Sequence, residues 1–393
     1  MPPQLSPLSQ SLGQSAVVAF RRIADELEAR GIEIVDLGIG EPDAHSPEPV
    51  IEALIRALHD GHDKYVDPRG LAPLREQIAA FENERHEIRC SPDEIVVTTG
   101  SVGALSLATR ALFAPGDEVL LPEPCYGPYR NQVRLTGAMP KGVAMPIVDG
   151  QPRLDADALR AAIGPNTKGI IVNTPWNPTG RVLSETELSA LAELANESDL
   201  WLIADEVYSE LTYPPHRHRS IANLSAETAA RTITVNSVSK AFAMTGWRLG
   251  YCVAPKAVAD VLATINHLTT RCATSFVQYG AVAAYEHCNG HIERQRAAYR
   301  RRRDTLLGLL DDVTGLHCPE PEGTFYAFAS FPAEWGDSRD VARALLEREG
   351  VVVTPGSAYG ETTRHYLRMS FATTSSQIRE GVTRIRSFFE TGP

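Results

Sequence analysis

An α/β fold with a mostly parallel sheet follows from three features of this sequence. Short apolar runs recur at 95–97, 118–121, 169–172, 200–204, 232–235 and 249–253. Helical stretches such as 102–112 and 185–196 separate them. Continuous apolar runs mark strands covered on both faces, so helices should flank the sheet on both sides. Beyond residue 282 the character changes. A long charged helix over 293–310 is followed by strands at 327–329 and 351–353, which alternate with helices at 339–348 and 377–389. That region predicts a smaller α+β unit.

The elements before the first buried strand follow from local signals. Residues 1–14 are rich in Ser, Pro and Gln and read as a loose arm. An amphipathic helix spans 16–30 and is ended by Gly31. The run from Ile34 leads into Gly40-Glu-Pro-Asp43, a turn by composition. Helices follow over 47–60 and 71–85. The expected organisation is an arm and helix (1–45) returning to the small unit, a large domain (46–281) and a small C-terminal domain (282–393).

Composition narrows the function. The 393 residues are 43% hydrophobic and 22% charged, the profile of a globular chain with a sizeable core. Against 38 basic residues stand 49 acidic ones, a net charge of −11, which argues against nucleic acid or an anionic membrane as partner. Arg300 to Arg303 form a local basic run, expected to be a solvated helix face. The six cysteines form no Cys-x-x-Cys pair, so no metal site or disulfide framework is expected. The N-terminus has no basic region followed by an apolar core, and no apolar run is long enough to span a bilayer. The expectation is a soluble, cytoplasmic protein.

The chemistry concentrates in Ser237-Val-Ser-Lys240-Ala-Phe-Ala-Met-Thr-Gly-Trp-Arg248. A lysine amine forms a Schiff base with an aldehyde. Hydroxyls and a guanidinium clamp a phosphate. The stretch therefore has what is needed to hold a phosphorylated aldehyde covalently. Ligands of open α/β sheets bind outside the carboxyl ends of the strands, and other polar motifs stand at such ends. Thr98-Thr-Gly100-Ser101-Val102 runs from strand into helix, and its free amides suit an anion. Asn173-Thr-Pro-Trp-Asn177-Pro-Thr-Gly180 follows a buried strand. Asp205 closes another, with Tyr208 shortly after. A carboxylate there needs a cationic partner or serves as a helix N-cap. Tyr126 is either a site residue or an ordinary core tyrosine. Arg368, in Tyr366-Leu-Arg-Met-Ser, alternates with apolar neighbours, a pattern that suits a strand facing a site.

Taken together, these motifs resemble the class I/II pyridoxal 5′-phosphate-dependent aminotransferases (fold type I, the aspartate aminotransferase superfamily). The likeness runs over residues 16–390, nearly the whole chain. It implies a seven-stranded sheet and a cofactor joined to Lys240. By resemblance, Asp205 holds the ring nitrogen, while Tyr208 and Asn177 hold the ring oxygen. Tyr126 stacks on the ring. Gly100, Ser101, Val102, Ser237 and Arg248 hold the phosphate, and Tyr65 reaches the phosphate of a neighbouring subunit, so the site needs a homodimer. Arg368 and Asn177 pair the substrate carboxylate, and Gly40 lets backbone approach it. Pro321-Glu-Gly323-Thr-Phe-Tyr326 resembles a turn of the family's small domain. The implied reaction moves an amino group between an L-amino acid and a 2-oxo acid. A lyase or cyclase of specialised metabolism would carry the same residues. A cofactor-binding regulator without turnover is disfavoured by the short stretch before Ala16.

Two departures stand out. Members acting on dicarboxylates carry a lysine where this chain has Val102, and a threonine where it has Val17. No second arginine for a side-chain carboxylate is apparent. The family also has a small polar run ending in proline where this chain has Thr269-Thr-Arg271-Cys272-Ala-Thr. Arg271 and Cys272 serve either an unusual substrate or packing.

Overall fold

The computed structural model describes residues 6–13 and 16–392. Its centre is a seven-stranded sheet. The strand order is Ile95–Thr98, Gly250–Val253, Thr232–Ser237, Trp201–Asp205, Thr167–Asn173, Glu118–Glu123 and Met139–Ala144. Gly250–Val253 runs antiparallel to both its neighbours, and the other adjacent pairs are parallel. Apolar runs report burial but not direction, so only the hydrogen bonds identify the reversed strand.

Burial on both faces is visible residue by residue. Ile203 joins one apolar cluster with Val96, Ile171 and Ile233, while its neighbours Leu202 and Ala204 join another with Ile170 and Val172. Successive side chains of a strand point to opposite faces, so both faces are core. Each fully buried Leu or Ile contributes on the order of 1.5–3 kcal/mol relative to exposure. The edge strand Met139–Ala144 was not expected. It is largely exposed and carries Pro140 and Gly142, so it lacks the apolar run that marks the others.

Around a second core lie the helices Ala16–Glu28, Ser338–Glu349 and Ser375–Thr391. Val35–Asp36 pairs in parallel with Val351–Val352, which ties the N-terminal segment to the C-terminal region. A three-stranded antiparallel sheet places Tyr366–Ser370 between Tyr326–Ser330 and Thr354–Pro355. The expected loose arm falls partly outside the described residues, at 1–5 and 14. Within it, Pro7–Ser11 is a short helix capped by the Ser6 side chain, which accepts from the Ser9 amide.

The basic run departs from its expectation. It lies on the helix Asn289–Leu310, but only Arg300 and Arg301 are exposed. Arg302 makes a two-bond pair with Asp43 at 2.7 Å. Arg303 is buried, donates to the Pro321 carbonyl at 2.9 Å and covers the Tyr213 ring. A side chain can bury its stem and pair its head, which a count of charges does not reveal. Among the described residues no helix is long and apolar enough to cross a membrane, and none of the His, Cys, Asp and Glu side chains gather into a group that could hold a metal.

Candidate active site

The parallel strands end on one side of the sheet, and polar side chains collect there around a cavity of about 370 Å³. Gly40, Ser101, Val102, Tyr126, Asn177, Asp205, Tyr208, Lys240, Arg248 and Arg368 all line it.

Lys240 reaches the cavity because a single helical turn presents it. Ser237, the last residue of its strand, caps the helix Val238–Ala241: its hydroxyl accepts from the Ser239 amide at 3.2 Å. The Lys240 ammonium donates to the Gly40 carbonyl at 2.5 Å and lies 5.5 Å from the Phe325 ring. Burial pushes its pKa down to about 8, against the opposing pull of Glu41 and with help from Arg368 and Arg248. A lysine of that kind is deprotonated more readily than a solvated one.

Asp205 ends the strand Trp201–Asp205 and is buried. Burial raises its carboxyl to about 6, although bonds from the Tyr129 hydroxyl (2.7 Å) and the Val207 amide (3.3 Å) pull the other way. The amide contact is local, as in a cap, but the second oxygen is spent on a residue far along the chain. Asn173 fixes the surroundings. Its amide nitrogen donates to the Asp205 carbonyl at 2.7 Å and its oxygen accepts the Asn177 amide at 2.7 Å.

At the other end of the cavity the helix Gly100–Leu112 begins, and the first amides of a helix lack intrahelical partners. Arg248, at φ 52°, lays its guanidinium against this turn. Gly100 has φ 72°, and a Cβ there would lie 2.5 Å from Arg248 Nη2. The turn therefore needs glycine both for its conformation and for the arginine's approach. Amides, hydroxyl and guanidinium together make an anion cradle.

Arg368 comes from the middle strand of the smaller sheet and is buried. It donates to Asn177 Oδ1 at 3.1 Å, the Gly38 carbonyl at 2.8 Å and Thr354 Oγ1 at 3.2 Å, and stacks 4.0 Å above the Tyr326 ring. Its Nε has no partner. An unpaired buried donor is costly, and this one belongs to a group lining the cavity.

Two sequence-expected residues lie elsewhere. Ser237 is not among the cavity-lining residues and its hydroxyl accepts the Ser239 amide as a cap, while Ser239 itself lines the cavity. Tyr65 is 77% exposed, outside the cavity, with the Arg271 guanidinium 4.9 Å from its ring centre. Arg271 itself has φ 72°, and Cys272 is half-buried. The sequence reading missed Tyr129, Asn173, Glu41 and Thr245, which also line the site. Tyr129 stands one turn after Tyr126 behind Pro128, a helix start that could have drawn attention. Tyr326, noted only for its turn, meets the Tyr208 hydroxyl at 3.1 Å.

The arrangement fits a phosphorylated, cationic-ring aldehyde. The cradle suits a dianion, Asp205 forms no ion pair among the described residues, and the Arg368 guanidinium lines the same cavity. Comparisons with known proteins point the same way. The family model for aminotransferase class I and II matches residues 32–385. The Bacillus subtilis aspartate aminotransferase is 36% identical over 392 residues, covering 98% of this chain and 99% of its own. The Thermus thermophilus aspartate/prephenate aminotransferase is 38% identical, with 97% of each chain covered. The solved structure of Thermus thermophilus aspartate aminotransferase with maleate has a TM-score of 0.92 at 36% identity, covering 98% of this chain and 99% of that one.

Proposed function

Because this chain belongs to the class I and II aminotransferases, we propose that it moves an amino group between an L-amino acid and a 2-oxo acid, with pyridoxal 5′-phosphate held through Lys240. The observation that carries the assignment of residues is the convergence of Lys240, Asp205, Arg248 and Arg368 on one cavity. When bound, the cofactor supplies an aldehyde for amines and a ring that accepts the electron pair left at the substrate Cα.

The chain's own residues do the rest. Gly100, Ser101 and Val102 offer amides, and Arg248 offers a guanidinium, to the phosphate. Ser239 lines the cavity, and Ser237, which accepts the Ser239 amide, keeps its O–H free to donate to the phosphate. Asp205 keeps the ring nitrogen protonated: a cation there lowers the carboxyl from about 6 and keeps it ionised. Tyr208 and Asn177 hold the ring oxygen, and Tyr126 covers the ring. Arg368 takes the substrate α-carboxylate through its planar fork, with Asn177 beside it and the Gly40 backbone close by. The Lys240 amine, once free, would be placed to take the Cα proton as general base and to return it at the carbon across the nitrogen. Its lowered pKa suits that exchange near neutral pH.

Two lobes, 46–281 and 282–393 with 1–45, divide the work between cofactor and carboxylate. The functional unit is a homodimer, and the exposed Tyr65 reaches the phosphate of a second copy. Leu268, also 77% exposed, and the exposed Ile55 and Leu58 offer apolar surface to a partner. The six free thiols suit a reducing cytoplasm.

The test is a half-reaction. The loaded protein, given one reactive amino acid and no oxo acid, should release one equivalent of the matching oxo acid and stop. Repeated consumption of the amino acid without an acceptor would overturn transamination in favour of elimination or cyclisation.

A further inference from the structure

Resting on the reading above, we infer that the amino acid this site selects has a large apolar side chain, aromatic or branched, and no second carboxylate. The charge around the cavity is the first ground. Among the described residues lining it, the cations are Lys240, Arg248 and Arg368 and the acids are Asp205 and Glu41. Each cation has a task. Lys240 holds the Gly40 carbonyl, Arg248 lies against the helix start beside Gly100, and Arg368 is bonded to Asn177, Gly38 and Thr354. Among this chain's own described lining residues, no cation is left over for a side-chain carboxylate.

An acid is left over. Glu41 accepts from Thr245 Oγ1 at 3.0 Å and meets no basic side chain there. It acts on the cavity all the same, because it is the strongest charge opposing the fall in the Lys240 pKa. A substrate carboxylate near Glu41 would be repelled by a like charge and would find no cationic partner there.

The remaining wall is the second ground. Val17 and Val18, in the first turn of Ala16–Glu28, face the cavity with Val102 and Leu105. Val102 and Leu105 are three apart on one helix, so they share a face. Val17 and Val102 are each 37% exposed and Val18 is 66% exposed. Exposed apolar side chains gathered at a cavity mouth mark a surface awaiting an apolar group.

The experiment uses the loaded protein and two unreactive analogues, 3-phenylpropionate and maleate, followed by calorimetry. Phenylpropionate should bind at least about tenfold more tightly. In the half-reaction, phenylalanine or leucine should likewise exceed aspartate in kcat/KM by about tenfold or more. Val102→Lys should move both ratios toward the dicarboxylate, and so should Glu41→Gln, which removes the repulsion without adding bulk. Tighter maleate binding with faster aspartate conversion in the unaltered protein would overturn the inference and leave transamination standing. Loaded protein that no amino acid converts would overturn the transamination reading, and the inference with it.

Discussion

The Tyr129 hydroxyl donates to Asp205 Oδ2 at 2.7 Å, joining a helix after the sixth strand of the sheet to the end of the fourth. The bond orients a buried carboxylate that forms no ion pair among the described residues and feels Lys240 only at a distance. Burial still outweighs it, leaving Asp205 at about 6 against an ordinary 3.8. The site stores an electrostatic cost that a cationic ligand removes.

That cost is measurable without the cofactor. The folded protein holds the Asp205 proton more tightly than the unfolded chain, so stability falls as pH rises from about 3.8 to about 6 and stays lower above. Asp205→Asn removes the charge and can still accept from Tyr129. Cofactor-free protein carrying it should be more stable at pH 7 by up to about 3 kcal/mol, with little difference near pH 4. Paired thermal melts at the two pH values read this directly. The same variant, loaded, should lose about 100-fold or more in kcat through the missing charge. Equal melts at both pH values would show that the carboxyl is not perturbed.

Arg368 offers a second test. Its three donated bonds and its stacking on Tyr326 need a planar fork. Arg368→Lys keeps the charge and loses that geometry. The kcat/KM for the amino acid should fall by about 2–4 kcal/mol, roughly 30- to 1000-fold, while cofactor affinity stays within a few-fold. A comparable loss of cofactor binding would place Arg368 in the wrong half of the site.

Gly100 tests the cradle. A side chain there meets both a left-handed φ of 72° and the Arg248 guanidinium at 2.5 Å. The conformation alone costs about 1–2 kcal/mol, and the displaced arginine adds to it. Gly100→Ala should weaken cofactor binding by tenfold or more, read by fluorescence titration of the cofactor-free protein. Unchanged affinity would mean that the phosphate binds elsewhere.

Legibility in the sequence followed physical range. The buried strands showed as apolar runs, and the Lys240 segment showed because lysine, hydroxyls and arginine lie within one short stretch. Val17 and Val102 were noticed singly, yet only the fold brings Val18 and Leu105 to the same wall. Tyr129 and Asp205 are remote in the chain, and nothing local announces their bond. The same is true of the buried group in which Glu82 meets His86, Tyr251 and Asn236, and His86 also meets Glu210. Those partners come from one helix, two strands and two loop positions, and packing alone selects them. The reversed strand Gly250–Val253 and the exposed edge strand were hidden for related reasons: direction and edge position are properties of pairing, not of composition.

The covalent attachment point is the central claim, and one measurement reaches it. The loaded protein is reduced with borohydride, digested and mapped by mass spectrometry. The account predicts the cofactor mass on the peptide carrying Lys240, and its loss in Lys240→Ala. Attachment at Lys64, Lys141, Lys168 or Lys256 instead, or no attachment in protein that still transfers amino groups, would contradict it.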